Sequence, residues 1–260
     1  MKYLVYTRAE FLRGMRYRAN YWATLASSLI MTVIQWSLWT AVYRHTDSIA
    51  GISLSGMLSY TFMGRVTAGF LAEPSNIRLA PRVRQGTIVH DLVKPADLHY
   101  QLLFQNLGSA LFRLVSTGLP LLVVLSLTGT LIFPSARTLG AFVLSLLMGY
   151  ITVFSTSFVS GVLTFYTKSG VGIDHLYTVV ELFAGMYVPL QFFPGWLRAI
   201  AERLPFKAIY YIPMAIWSGM TAPGEVMSAI LSQAIWTALM VILCRIVWSG
   251  AVKHLTVQGG

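Results

Sequence analysis

The amino-acid sequence predicts an all-α integral membrane protein with six transmembrane helices in a single domain, residues 1–260. Three observations lead there. First, 56% of the 260 residues are hydrophobic, 11% are charged, and the mean hydropathy is +0.66. A soluble domain carries about 25% charged residues, so this chain has too little polar surface to stay dissolved. That excludes a soluble enzyme, a nucleic-acid binder and a disordered chain together. Second, the apolar residues gather in runs close to the ~20 residues that cross a bilayer core as a helix. Third, the net charge of +10 falls between those runs. Cytoplasmic loops and anionic lipid account for it there without a nucleic-acid partner.

The elements follow in chain order. Within residues 1–20, Met1, Leu4, Phe11, Leu12 and Met15 share one helical arc, with Lys2, Arg13 and Arg16 opposite and only Arg8 intruding. This pattern predicts an amphipathic helix in the membrane interface. The first span is Tyr21–Val42, without a charge. It exceeds the ~7–15 residues of a cleavable signal core, and no clear cleavage site follows it, so it reads as a retained span. The second span, Ser55–Ala72, holds Arg65. Residues 73–108 form the largest loop, cut by Pro74, Pro81, Gly86 and Pro95. Within it Thr87–Lys94 makes one or two amphipathic turns, too short to bury much alone and in need of a protein to dock against.

The third and fourth spans are Leu114–Phe133 and Thr138–Tyr166. The fifth, Leu176–Phe193, carries Glu181, and the sixth, Met227–Trp248, carries Arg245 near its end. Residues 189–225 contain Pro189, Pro194, Pro205, Pro213 and Pro223, so no continuous helix crosses them. Short re-entrant or extracellular helices are expected, with Trp196, Tyr210, Tyr211 and Trp217 at headgroup level. Eleven loop cations lie on the side of the termini and five on the other, which places both termini in the cytoplasm of a multi-pass protein of the inner (plasma) membrane.

Motifs for chemistry are scarce. There is no phosphate-binding Gly-x-x-x-x-Gly-Lys-Ser/Thr and not one Gly-Lys pair, which excludes a P-loop ATPase. The five histidines are scattered, and the lone Cys244 sits in an apolar run, so no metal site is expected. No Gly-x-Ser-x-Gly occurs. The chain is read as non-catalytic and as binding no cofactor. Arg65 and Glu181 stand out, because a charge inside a bilayer usually faces a bundle interior or a water-filled path. They are read either as lining a translocation path or as an in-membrane lock. Small residues on the spans, among them Gly108, Gly118, Ser145, Gly149 and Gly185, are read as points of close helix approach.

Three stretches carry a family resemblance. The first is Arg84-Gln85-Gly86-Thr87-Ile88-Val89-His90-Asp91-Leu92-Val93-Lys94-Pro95. The second is Val188-Pro189-Leu190-Gln191-Phe192-Phe193-Pro194-Gly195-Trp196-Leu197, followed by Leu204-Pro205-Phe206 and Tyr211-Ile212-Pro213. With the basic amphipathic N-terminus and the ending Gln258-Gly259-Gly260, the layout resembles the ABC type-2 transporter permeases, the membrane half of ATP-binding-cassette exporters.

The resemblance implies a permease subunit paired with a second permease, homologous or identical, and driven by two copies of an ABC-type ATPase. ATP and Mg would sit on that partner. Thr87–Lys94 would be the coupling helix, with Arg84, Gly86, Thr87, Asp91, Lys94 and Pro95 at the ATPase contact and Lys168 and Asp174 at a smaller one. Pro189, Phe193, Pro194, Trp196, Pro205 and Pro213 would shape the extracellular gate. The cargo would be an amphipathic drug, peptide or lipid-linked molecule. An ion-coupled secondary transporter and a non-transporting membrane assembly protein are the alternatives.

Overall fold

A computed structural model describes residues 2–16, 18–72, 74, 88, 93, 96–167 and 173–253. It is almost wholly helical. The one sheet among the described residues is a two-residue hairpin, Ser48–Ile49 (β1) with Ile52–Ser53 (β2), whose turn puts Ala50 and Gly51 at φ +53° and +79°. Two positive-φ turn residues match the twist of so tight a hairpin.

The amphipathic N-terminus is helix α1, Lys2–Gly14. It does not lie alone. It runs beside and in the same direction as α4, Leu98–Arg113, for about three turns. Tyr3 stacks on Phe104, the Thr7 hydroxyl donates to the Phe104 carbonyl at 2.9 Å, and Phe11 meets Phe112 edge-on. At Gly108 a Cβ would collide with the Thr7 carbonyl, so glycine is what lets the helices close. Leu4, Val5, Leu12 and Met15 remain exposed on the other side of α1.

Four described helices are long and apolar enough to cross a bilayer: Tyr21–Val42, Leu98–Leu127, Ala136–Leu163 and Val226–Lys253. The first, third and fourth of these agree with the expected spans one, four and six. They belong to α2 (Arg18–Val42), α6 (Ala136–Thr167) and α10 (Val226–Lys253). The helix expected from Leu114 instead begins at Leu98, so the tail of the segment read as loop is helical. Asp97 starts it, its carboxylate accepting from the His99 N–H at 2.9 Å. The helix runs through a π-turn, Leu114–Gly118, into α5, Leu119–Leu127. Pro120 explains the π-turn, because its ring would strike the carbonyl four residues back in a regular α-helix.

Two expected spans are shorter than read. Helix α3 covers Leu54–Ala68, about 22 Å at 1.5 Å per residue, against a hydrocarbon core of ~30 Å. Helix α7 covers Ile173–Phe183 and stops far short of Phe193. Its end is a Schellman cap: the Gly185 N–H donates to the Leu182 carbonyl and the Met186 N–H to the Glu181 carbonyl, with Gly185 at φ +77°. Hydropathy missed this stop because Ala184–Phe193 is apolar in composition while its backbone is irregular.

After it come a 3₁₀ turn (Leu190–Phe192), α8 (Gly195–Arg203), another 3₁₀ turn (Pro205–Ala208) and α9 (Tyr211–Ser218). Helix α9 is not a surface element. Residues Ile212–Ser218 are all buried, packed on α3 and α6. Pro213 lies in its first turn, where the missing N–H is harmless. Of the four aromatics expected at headgroup level, Trp196 is 69% exposed, but Tyr210 and Trp217 are buried and Tyr211 partly so. Trp217 is held edge-on between Phe133 and Phe142, with ring centroids at 5.9 and 5.0 Å.

Candidate functional site

The middle of the bundle is tied by polar groups rather than by apolar packing alone. Gln233 of α10 is fully buried. Its Oε1 accepts from the Ser145 hydroxyl at 2.6 Å, and its Nε2 donates to the carbonyls of Ser145 and Ala208, each at 2.8 Å. One amide thus joins α10, α6 and the segment leading into α9. One turn further along α10 and two along α6, Thr237 and Thr152 share a 2.9 Å hydrogen bond. Between the two pairs, Gly149 meets the carbonyls of Ala208 and Ile209 so closely that a Cβ could not fit.

Sequence reasoning singled out Ser145 and Gly149 but passed over Gln233, Thr152 and Thr237. The available signal was a glutamine inside an apolar span, which in a bilayer needs partners.

The buried helix α9 is moored at its other contacts by backbone carbonyls. The Tyr210 hydroxyl donates to the Leu71 carbonyl at 3.0 Å, and the Tyr211 N–H donates to the Ala184 carbonyl at 2.8 Å. The Tyr60 hydroxyl, fully buried on α3, donates to the Gly185 carbonyl at 2.6 Å. Among the expected gate residues, Pro189 and Pro213 are buried, Phe193 is half-buried, and Pro194 and Trp196 are exposed. Pro194 and Pro205 each open a helical turn. They therefore divide between a buried inner layer and an exposed rim.

Arg65 and Glu181 are not paired with each other. Glu181 accepts from the Tyr187 hydroxyl at 2.9 Å. Arg65 stands in the last turn of α3, where a helix favours a cation, and lies within electrostatic reach of Tyr187 and Tyr210. Its Nε is buried without a hydrogen-bond partner. Tyr187 is thus hydrogen-bonded to Glu181 and within electrostatic reach of Arg65.

At the α1 end, a second apolar cluster gathers Leu98 and Leu102 of α4, Phe154, Phe158 and Val162 of α6, and Cys244, Trp248 and Ala251 of α10. His99 is buried there, edge-on to Phe154 and Phe158 with ring centroids at 5.3 and 4.9 Å. Ile88, from the expected coupling segment, inserts into this cluster and is 3% exposed, whereas Val93 is 78% exposed. Arg84, Gly86, Thr87, Asp91, Lys94, Pro95 and Lys168 lie outside the described residues, as does the side chain of Asp174 in the first turn of α7.

Beside this cluster the Arg245 guanidinium donates to the Asp97 carboxylate at 3.0 Å and sits 5.3 Å from the centre of the Tyr100 ring. Burial pushes the Asp97 carboxyl upward. The hydrogen bond and charge of Arg245, with backbone N–H bonds from His99 and Tyr100, outweigh that and leave it below its ordinary 3.8. The contact clamps α4 to α10. Sequence reasoning had assigned Arg245 no role.

With this geometry in place, the comparison with known families is decisive: the ABC-2 family transporter protein profile matches residues 29–259. The chain belongs to the ABC-2 transporter family. No curated protein and no solved structure matched it. The ABC-2 chain is thus a multi-pass membrane protein and a transport component, in agreement with the resemblance drawn from its motifs. Among the described residues of this ABC-2 protein, no group of three or more His, Cys, Asp or Glu could hold a metal ion.

Proposed function

We propose that this chain is the permease subunit of an ATP-driven exporter, pairing with a second permease and working against two cytoplasmic ATPases. The observation that carries the reading is membership of a transporter family by a sequence without a nucleotide-binding motif. These residues supply a path and need an engine outside them. In this reading α3 and α7 complete a six-span bundle with the four longer helices, both termini lie in the cytoplasm, and the cargo is an amphipathic drug, peptide or lipid-linked molecule.

The coupling segment would contact the ATPase through Arg84, Gly86, Thr87, Asp91, Lys94 and Pro95, with Lys168 and Asp174 adding a smaller contact. Ile88 supports this assignment: buried among α4, α6 and α10, it would pass a push on the segment straight into three helices. The exposed Val93 would face the partner. Arg65 and Glu181, with Tyr187 hydrogen-bonded to the latter, would form a polar step in the path. The buried and exposed halves of the Pro189–Pro213 stretch would act as inner plug and outer rim of the gate.

The test is a mild-detergent purification of the tagged chain from its native host, with mass spectrometry of what accompanies it. An ABC-type ATPase in the eluate, with ATP hydrolysis that responds to candidate cargo, supports the reading. Intact permease without any ATPase, and vesicle transport driven by an ion gradient instead, would overturn it.

A further inference from the structure

Where α1 ends, a groove of about 250 Å³ opens between it, the start of α2 and the π-turn of the α4–α5 helix. Met15, Phe112, Val115 and Pro120 make it apolar, and Tyr21 and Ser116 give it a polar margin. Its size follows from local structure. Phe112 packs so close to Gly14 that a Cβ there would strike the ring. The π-turn widens the helix at the level of Ser116, whose carbonyl would in an α-helix accept from residue 120, a proline with no N–H to give. The volume far exceeds the ~30 Å³ of one water and falls short of the ~300–1,000 Å³ that encloses a drug-sized ligand. It suits a ligand that leaves most of itself in the bilayer. Met15 and Val115 are about half exposed, so the groove is open on its side.

Charge and aromatic placement say which ligand. Arg13 and Arg16 flank the groove residues Gly14 and Met15 in sequence, and both side chains are exposed. Among the described residues the exposed Arg13 meets the half-buried Glu10, at 3.4 Å, and Glu10 is the sole acid before Asp47. Exposed Trp22, packed against Tyr21 at 4.7 Å between ring centres, marks the headgroup level of a bilayer beside the groove. Apolar walls, a basic rim and an interfacial aromatic pair form the complement of one kind of molecule.

We propose that this groove is a site for an anionic glycerophospholipid, one acyl chain lying against Phe112, Val115 and Pro120 and the phosphate held by Arg13 and Arg16. The occupant fills the joint where α1, α2 and the π-turn meet. The site is independent of the transport reading, because it sits on the outer face of α4–α5 and uses none of the residues assigned to the path, the gate or the coupling segment.

The test compares the delipidated full chain in nanodiscs of phosphatidylcholine alone and of phosphatidylcholine with phosphatidylglycerol of the same acyl chains. Phosphatidylglycerol should raise the Tm by about 2–4 °C. Val115→Phe, which fills the groove, and Arg13→Gln with Arg16→Gln, which strips its rim, should each remove at least half of that rise. A rise that survives Val115→Phe, or no rise in the wild type, would overturn the site and leave at most a diffuse surface attraction. Should Val115→Phe fail to fold, a photo-crosslinking residue at position 115 in the otherwise intact chain decides instead. Adducts with phosphatidylglycerol in excess over phosphatidylcholine support the site; adducts in proportion to lipid abundance overturn it.

Discussion

Gln233 on α10 and Ser145 on α6 exchange two hydrogen bonds, the Ser145 hydroxyl donating to the glutamine Oε1 at 2.6 Å and the Nε2 returning one to the Ser145 carbonyl at 2.8 Å. The same Nε2 reaches the Ala208 carbonyl. Replacing Gln233 with leucine keeps the volume and removes all three bonds. Interhelical hydrogen bonds in membranes contribute ~0.6–1.7 kcal/mol each, and an orphaned buried group costs ~1–3 kcal/mol. Gln233→Leu should therefore destabilise the protein by about 1–3 kcal/mol in detergent unfolding. Ser145→Ala, which keeps its backbone acceptor, should cost less. Equal losses for the two would show that the amide is not the joint it is described to be.

The Arg245–Asp97 pair gives a pH-dependent effect with a defined sign. The Asp97 carboxyl is depressed in the fold, so its stabilising contribution is complete above its unfolded value near 4 and is lost as pH falls through the lower folded value. Both side chains are more than a third exposed, which screens the pair to well under ~1 kcal/mol. Arg245→Met should lower the Tm slightly at pH 7 and low salt, and the gap to wild type should shrink in 0.5 M salt and close as acidification protonates Asp97. A gap that widens on acidification would contradict the assignment.

Glycines at close contacts and glycines in open space should respond oppositely to alanine. A Cβ at Gly108 meets the Thr7 carbonyl, and one at Gly118 meets the Val66 carbonyl, both rigid backbone. Gly108→Ala and Gly118→Ala should each cost about 1–3 kcal/mol. Gly108→Ala should also speed hydrogen exchange in α1. At Gly140 and Gly250 nothing lies near the added methyl, so alanine there should be neutral or stabilise the helix by up to ~1 kcal/mol.

Ile88 and Val93 separate folding from partner docking. Ile88→Asp puts a charge into an apolar cluster and should reduce accumulation of the folded chain. Val93→Asp, on an exposed position, should leave accumulation and Tm unchanged while weakening co-purification of an ATPase at least several-fold. If Val93→Asp leaves ATPase binding intact, the exposed side of this segment is not the docking face.

Arg65→Met tests whether the charge at the end of α3 serves transport or assembly. A transport role predicts normal accumulation with reduced export in vesicles, and Tyr187→Phe, which frees Glu181 from its hydrogen bond, should share that phenotype. Loss of the folded protein in both variants would assign the group to a structural lock.

Much of this architecture was legible in the residues. Long apolar runs, uncharged but for Arg245 near the end of the last, identify α2, α6 and α10, because a bilayer demands length and apolarity and little else. The start of the third helix was not legible in the same way. His99, Gln101 and Asn106 lower the hydropathy of Leu98–Gly108, yet all three are buried in the bundle, with Asn106 donating to the Leu102 carbonyl four residues back. Hydropathy cannot distinguish a polar group facing water from one buried within the protein. Helix α9 escaped for the converse reason: the prolines around it marked irregular chain correctly, but they do not say whether that chain rides on the surface or sinks between helices. The Gln233 joint required knowing which residues of α6 and α10 face each other, and no periodicity supplies that register.

The moorings of the buried segment have an uneven mutational signature. At Leu71, Ala184, Gly185 and Ala208 the acceptor is the main chain, which every residue type possesses. At Tyr60, Tyr210 and Gln233 the donor is a side chain that few residue types can replace. Deep mutational scanning should therefore find the donor positions nearly fixed. Leu71 and Ala208 should tolerate any side chain of suitable size, while Gly185 is held by its positive φ. The contacts that seat α9 thus record only half of themselves in the amino-acid alphabet, and the other half is written in backbone geometry.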